Sequence, residues 1–290
     1  MDDAIASPSV RKLALEHNVD INKLAVRLGR QTIVREDILG SCAPAPSASN
    51  AVQFWEVDHG KWGPVTTEPM NRMAQVASAN LTAAQQLVPS VTHHDSADVT
   101  RIEALRRSLK AAQVRISALA FHVAVLARCL HEFPRFNASL SADGKSLILK
   151  RYVHIGIAVD TPHGLLVPVI RNADKMYIPE ISETIVDLAN RARARRIGPE
   201  EMGGGSMTIS SLGGIGGESF TPIINPPEVA ILGLTRTEIR PVWDGAAFQP
   251  TLMIPIDLTY DHRVINGANA ARFLVRYRTL IKDPDQLLMA

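Results

Sequence analysis

Between Ile116 and Leu130 the chain is largely apolar, its run interrupted by His122 and Arg128. A helix of that composition is apolar nearly all round, so it must be central to a core or packed between subunits. It falls short of the roughly 20 apolar residues that a membrane span needs, and Pro134 stops it. A helix that needs covering on every side calls for a large domain. The 290 residues allow one such domain of roughly 200–250 residues plus a small module.

The flanking segments supply the cover. Met70, Met73, Ala77, Leu81, Ala84 and Leu87 recur at helical spacing, as do Ile102, Leu105 and Leu109. Strands are expected at Ser146–Lys150, His154–Asp160 and Leu165–Ile170, with Pro162-His163-Gly164 as a turn. Ile181, Ile185, Leu188 and Ala192 mark an amphipathic helix, and strands follow at Met207–Ser211, Val229–Leu234, Ile239–Val242 and Leu252–Leu258. Strands interleaved with helices predict an α/β fold, a two-layer sandwich of a mixed sheet and helices preceded by a small helical module.

That module is read over residues 5–38. Ser7 before Pro8 suits a capped helix start, and a second short helix is expected around Val34–Ile38. About 35 residues bury little core, so the module is expected to live by docking. Residues 39–53, LGSCAPAPSASNAVQ, read as an Ala/Pro/Ser linker, and 54–290 as the main domain. Cys42 and Cys129 have no partner ligands and read as incidental thiols of a reducing compartment. Residues 1–20 carry Asp2, Asp3 and Glu16 without an apolar stretch, so no signal peptide is expected. Lys+Arg 31 against Asp+Glu 29 leaves a charge of +2, which gives no case for nucleic acid or membrane. The arginines at 191–196 lack stacking aromatics, making a nucleic-acid binder the weakest reading.

Three stretches carry candidate chemistry. Tyr260-Asp261-His262-Arg263-Val264-Ile265-Asn266-Gly267 puts a histidine on a loop between strand and helix, where a base reaches substrate. Residues 203–217 combine glycines with Thr208, Ser210 and Ser211, hydroxyls able to donate to an oxyanion. No Gly-Lys-Ser/Thr follows, so this is not a phosphate loop. His93-His94-Asp95 suggests a metal site, but adjacent strand residues face opposite ways and no third ligand sits at a zinc spacing. No metal is expected.

The first two stretches together resemble the catalytic domain of the 2-oxo acid dehydrogenase acyltransferases. The family's DHRxxDG reads DHRVING here, and Thr208–Gly213, Phe220–Gly233, Trp62–Val65 and Tyr152–Arg171 also fit. Residues 7–38 resemble the family's peripheral subunit-binding domain, although its GTGxxGR loop is replaced by VRLGRQT, Val26 to Thr32. TISSLG with its Ile-Gly-Gly continuation looks like the acetyl-transferring, pyruvate-complex branch.

The resemblance implies a mechanism in which His262 is the general base and Ser210 the oxyanion donor, with coenzyme A and a lipoyl thiol as the two substrates. An ordinary thiol near pKa 8.5 is mostly protonated at neutral pH and an ordinary imidazole near 6.5 is largely free to accept a proton. Neither substrate then requires an acyl-enzyme. Asn266 stands where the family usually has Asp, an acid thought to form an ion pair holding the loop; Asn keeps the hydrogen-bonding capacity without the charge. The resemblance further implies a homotrimer assembled into a larger core, with the active site between subunits. Pyruvate dehydrogenase, dihydrolipoamide dehydrogenase or both would dock on the N-terminal module, in a bacterial cytoplasm or a mitochondrial matrix, of which the cytoplasm is favoured. The apolar Leu287–Ala290 fits an assembly contact. With no lipoyl domain present, the expectation is a truncated chain or a lipoyl group supplied in trans. The alternatives are a non-catalytic assembly scaffold, a transferase for branched-chain or succinyl groups, and a trimeric acetyltransferase of the chloramphenicol type.

Overall fold

The computed structural model describes residues 4–17, 19–42 and 57–288. The chain divides into two compact units, Met1–Glu68 and Pro69–Ala290.

In the first unit, Ser7 accepts a hydrogen bond from the Val10 amide and Pro8 occupies the first turn of α1 (Pro8–Glu16). A helix not expected from the sequence follows, α2 (Ile21–Leu28). Asp20 caps its start by accepting from the amides of Asn22 and Lys23, and Gly29 ends it in the left-handed region at φ 62°. The third helix, α3 (Arg35–Cys42), enters the stretch read as linker by four residues; the rest of that stretch lies outside the described residues. Ala4, Val10, Ala14, Leu24, Ile33 and Ile38 form the small core. Arg30 grips Asp37 through two contacts of 2.6 and 2.7 Å and donates to the Thr32 carbonyl. This places an ion pair where the substituted loop VRLGRQT turns toward α3.

The second unit is a mixed sheet layered with helices, as expected. Its described elements are α4 (Arg72–Leu87), β1 (Ser90–Asp98), α5 (Thr100–Ala111), α6 (Ala118–Glu132), β2 (Ala138–Leu140), β3 (Leu147–Leu149), β4 (Ile155–Ile157), β5 (Val159–Thr161), β6 (Gly164–Leu166), β7 (Val169–Ile170), α7 (Ile178–Arg193), β8 (Met207–Ser211), β9 (Ala230–Leu234), β10 (Glu238–Trp243), β11 (Phe248–Asp261), α8 (Gly267–Lys282) and α9 (Asp285–Leu288). The main sheet runs β1-β11-β9-β8-β4-β7, with β10 also paired to β11. Pairs β8/β9 and β4/β8 are parallel and the remainder antiparallel.

The helix α6 is the buried one, with Phe121, Val123, Val125, Leu126, Cys129 and Leu130 all in the core. Its two polar interruptions are each satisfied. His122 bonds the Tyr277 hydroxyl at 2.6 Å, and Arg128 pairs with Glu132 at 3.5 Å near the surface. Burial pushes the His122 imidazole down to about 4, so it is held neutral. Burial likewise pushes the Cys129 thiol up to about 12, leaving no thiolate to react.

Two expected strands each break in the middle. His154–Asp160 splits at Ala158, its first part in the main sheet and its second in a hairpin with β6. Leu165–Ile170 splits around Pro168, which has no amide to give the ladder; its carbonyl instead accepts from Ile157 at 2.9 Å. At the C-terminus, Leu287 packs against the core of its own unit. Among the described residues no helix is long and apolar enough to cross a membrane.

Candidate active site

Ser210 is the fourth residue of β8, between a parallel partner on either side: its strand pairs with β9 through Ser210 and Gly233, and with β4 through Ile209 and Ile157. The alternation of the strand buries Met207 and Ile209 against the helices and turns Thr208 and Ser210 to the other face. There Thr208 donates to Glu228 Oε1 at 2.9 Å, so it is already engaged. Ser211 is exposed. Half-buried Ser210 makes no side-chain hydrogen bond among the described residues, which leaves its hydroxyl free to donate outward. Of the three hydroxyls singled out in the sequence, Thr208 is engaged and Ser211 is exposed, so only Ser210 is both free and half-buried.

Glu228 supplies an unforeseen feature. It is 6% exposed, and its Oε2 is buried without a partner. Desolvation pushes the carboxyl up to about 7 against the opposing pull of Thr208 and Lys150. Lys150 is turned aside to donate to the Gly205 carbonyl at 2.7 Å. The signal in sequence was a lone acid after Pro226-Pro227 and before an apolar strand.

His262 follows directly on β11. Its amide donates to the Pro89 carbonyl at 3.0 Å, while its exposed ring lies 5.9 Å from the ring of buried Tyr260. What shapes the loop is Asp261. Its side chain is buried and accepts from the Arg263 amide at 2.9 Å and from the Arg263 guanidinium at 2.7 to 3.1 Å. Its carbonyl accepts from both Val264 and Ile265 at 3.0 Å. The turn is thus wrapped round one residue, Asp261, through both its carboxylate and its carbonyl, and the Asp-His-Arg alternation is the sequence trace of that clamp. Asn266 caps α8, accepting from the Asn269 amide at 2.9 Å.

These residues do not converge within one chain. Ser210 stands in register with Gly233 and Gly233 with Asp257, and His262 lies five residues beyond Asp257. At ~3.3 Å per residue and ~4.8 Å per strand, Ser210 and His262 are roughly 19 Å apart. A base and an oxyanion donor acting on one carbonyl each need to stand about 3 Å from it. If the two act on one carbonyl, each chain carries two half-sites in different parts of its sheet.

His93 and His94 point to opposite faces of β1. His94 bonds Asp257 at 2.6 Å, whereas the His93 ring stands edge-on to Tyr260 with centroids 5.6 Å apart. Among the described residues no group of three or more His, Cys, Asp or Glu could hold a metal ion.

The model of the 2-oxoacid dehydrogenases acyltransferase catalytic domain matches residues 63–289, and that of an E3 binding domain matches residues 4–39. The dihydrolipoyllysine-residue acetyltransferase component of the Azotobacter vinelandii pyruvate dehydrogenase complex is 44% identical over 300 residues, taking in 98% of this chain and 47% of that protein. Its Pseudomonas aeruginosa counterpart is also 44% identical, over 299 residues, 98% of this chain and 55% of that one. The chain thus spans about half the length of the curated relatives it matches. Among solved structures, a crystallographic and enzymatic study of a serine, a histidine and an asparagine in the catalytic mechanism of Azotobacter vinelandii dihydrolipoamide acetyltransferase is similar at 49% identity. Its TM-score is 0.78, over 80% of this chain and 97% of that one. The cubic core of a pyruvate dehydrogenase multienzyme complex matches with the same figures.

Proposed function

We propose, for a chain that belongs to the 2-oxoacid dehydrogenase acyltransferase family, that it moves an acetyl group between S-acetyldihydrolipoyl-lysine and coenzyme A. The observation that carries this reading is the pair of half-sites. A free hydroxyl at Ser210, a presented imidazole at His262 and a capping amide at Asn266 have the spacing of the serine, histidine and asparagine studied in the Azotobacter vinelandii enzyme.

In this mechanism the His262 imidazole takes the proton of the coenzyme A thiol. The thiolate attacks the thioester carbonyl, and the Ser210 hydroxyl donates to the oxyanion of the tetrahedral intermediate. Collapse breaks the bond to the lipoyl sulfur, whose thiolate takes the proton back from the imidazolium. Both substrates are thiols and meet directly, so no acyl-enzyme forms. Asn266 fixes the start of α8 and with it the far end of the His262 loop.

The separation of the half-sites within one chain supports an active site built between copies, in a homotrimer that assembles into a larger core. Residues 5–38 form the docking module for dihydrolipoamide dehydrogenase or pyruvate dehydrogenase, 39–53 a linker and 54–290 the catalytic domain. The lipoyl group comes from a preceding domain or from another chain. The bacterial sources of the relatives support a cytoplasmic setting.

The test is acetyl transfer from acetyl-CoA to free dihydrolipoamide, which bypasses the need for a lipoyl domain. His262→Ala is expected to lower the rate by roughly 10²–10⁴ with the assembly intact. A folded, assembled parent that transfers nothing would sink the enzyme reading in favour of a scaffold.

A further inference from the structure

A second polar cluster lies in the same sheet row as Ser210. Register runs His94, Asp257, Gly233, Ser210 across β1, β11, β9 and β8. Side chains at paired positions share a face, and this is the face away from the helices. The neighbouring row on the helix side, Leu258, Leu232 and Ile209, is fully buried. Asp257 is also fully buried, and it accepts three hydrogen bonds. His94 Nδ1 stands 2.6 Å and Ser219 Oγ 2.8 Å from its Oδ1, and the Phe220 amide donates to its Oδ2 at 3.1 Å.

Ser, His and Asp together invite comparison with a nucleophilic triad, and the geometry excludes it. A triad has the serine on one ring nitrogen and the carboxylate on the other. Here Ser219 Oγ and Asp257 Oδ1 both lie against the same atom, His94 Nδ1, at 2.7 and 2.6 Å. The three groups close a triangle, with the imidazole and the hydroxyl both directed at the carboxylate. Such an arrangement secures a chain segment and has no attacking oxygen.

The segment it secures ends the glycine-rich loop. The Thr235 hydroxyl fixes that loop at the Glu218 carbonyl, at 3.0 Å, and Asp257 fixes it at Ser219 and Phe220. The Phe220 ring then lies on Gly233. A Cβ at position 233 would stand 2.8 Å from two ring atoms and 3.1 Å from the Asp257 Cβ. Only glycine admits this stacking, and Gly233 is the residue paired with Ser210. The ring therefore covers the strand neighbour of Ser210, whose backbone lies one strand spacing, ~4.8 Å, away.

We propose that Asp257, braced by His94 and Ser219, is a positioning residue that fixes the Phe220 ring as a wall beside Ser210, and that this wall limits the size of the acyl group. The proposal rests on the transferase reading above, with Ser210 at the carbonyl. It assigns acyl selection to a carboxylate that never touches substrate.

The experiment measures kcat/KM for acetyl-CoA and butyryl-CoA with dihydrolipoamide, in the parent and in Asp257→Ala, Asp257→Asn and Phe220→Ala. Releasing the wall raises the butyryl-to-acetyl ratio about tenfold in Asp257→Ala and in Phe220→Ala, within the range that extra methylenes command in an apolar pocket. Asp257→Asn still accepts from the Phe220 amide and keeps the ratio near that of the parent. If Asp257→Ala does not assemble, Ser219→Ala removes one exposed strut and shifts the ratio the same way by a smaller factor. A ratio unmoved in the folded variants overturns the proposal, however far the absolute rates fall, because a merely structural loss lowers both substrates together. A parent that transfers neither acyl group overturns the transferase reading and this proposal with it, an outcome distinct from an active parent with an unmoved ratio.

Discussion

Ser210 sits inside a strand with bonded neighbours on both sides, whereas His262 sits on a turn just beyond the end of one. The donor needs no device of its own: the parallel ladder of β4, β8 and β9 holds its backbone, and alternation aims the side chain. The proposed base is on a loop, which the buried Asp261 shapes through its carboxylate, bound to the Arg263 amide and guanidinium, and its carbonyl, bound to the Val264 and Ile265 amides. The difference suits the roles proposed for the two residues. An oxyanion donor stabilises charge best when it does not reorganise, while a base has to meet a thiol that arrives and leaves. It also means that each half-site can be removed without disturbing the other.

The largest effect tests that independence. Ser210→Ala is expected to lose on the order of 10²–10³ in rate and His262→Ala as much or more. Unfolding the two inactive chains together and reassembling them allows sites in which one copy gives its histidine and the next its serine. In a cyclic assembly with random mixing, about a quarter of the interfaces join an intact base to an intact donor. Recovery of about that share of the parent rate is expected. A mixture as inactive as its components would require both residues to act from one chain, against the roughly 19 Å between them.

The carboxyls behind the two half-sites differ as sharply. Asp261 is ion-paired with Arg263. Glu228, which accepts from Thr208 two residues before Ser210, makes no salt bridge among the described residues, and burial holds it near 7 against the weaker pull of Thr208 and Lys150. Its folded value lies above its unfolded one, near 4.5. The unfolded chain therefore releases this proton first as pH rises, and the stability it contributes is full below about 4.5 and lost progressively through about 7. The loss amounts to on the order of 3 kcal/mol. Glu228→Gln keeps an acceptor for Thr208 and should flatten that dependence, seen in unfolding midpoints at pH 5 and 8 at one protein concentration. Equal slopes for parent and variant would mean that Glu228 is solvated through another opening of the fold.

Periodicity carries the helices and the central strands because their residues meet one apolar layer. The run from Ile116 to Leu130 names its own burial, and Met207–Ser211 names its alternation. Ser90–Asp98 has nothing comparable: in SVTHHDSAD only Ala97 is buried, so this edge strand carries no apolar rhythm, and its place is set by nine paired residues of β11. The same holds for the chemistry. Ser210 and His262 stand in local motifs that can be read as they come. His94 meets Asp257 across 163 positions of sequence and Ser219 across 125, and no local pattern announces partners that only the sheet brings together.

The smallest expected effect concerns Asn266, where the family resemblance implied an acid that locks the loop through an ion pair. In this chain the lock is Asp261 with Arg263, and Asn266 instead caps a helix, its Oδ1 accepting the Asn269 amide at the start of α8. A carboxylate can accept the same bond and complements the positive end of the helix. Asn266→Asp should therefore leave stability within a few tenths of a kcal/mol, while Asn266→Ala costs about 1 kcal/mol. Because the cap lies at the far end of a turn already wrapped on Asp261, the alanine variant should retain most of its transfer rate. A loss in Asn266→Ala approaching that of His262→Ala, with unfolding little changed, would give position 266 a direct part in the reaction. It would also erase the division between a loop shaped by one aspartate and a helix that merely begins where the loop ends.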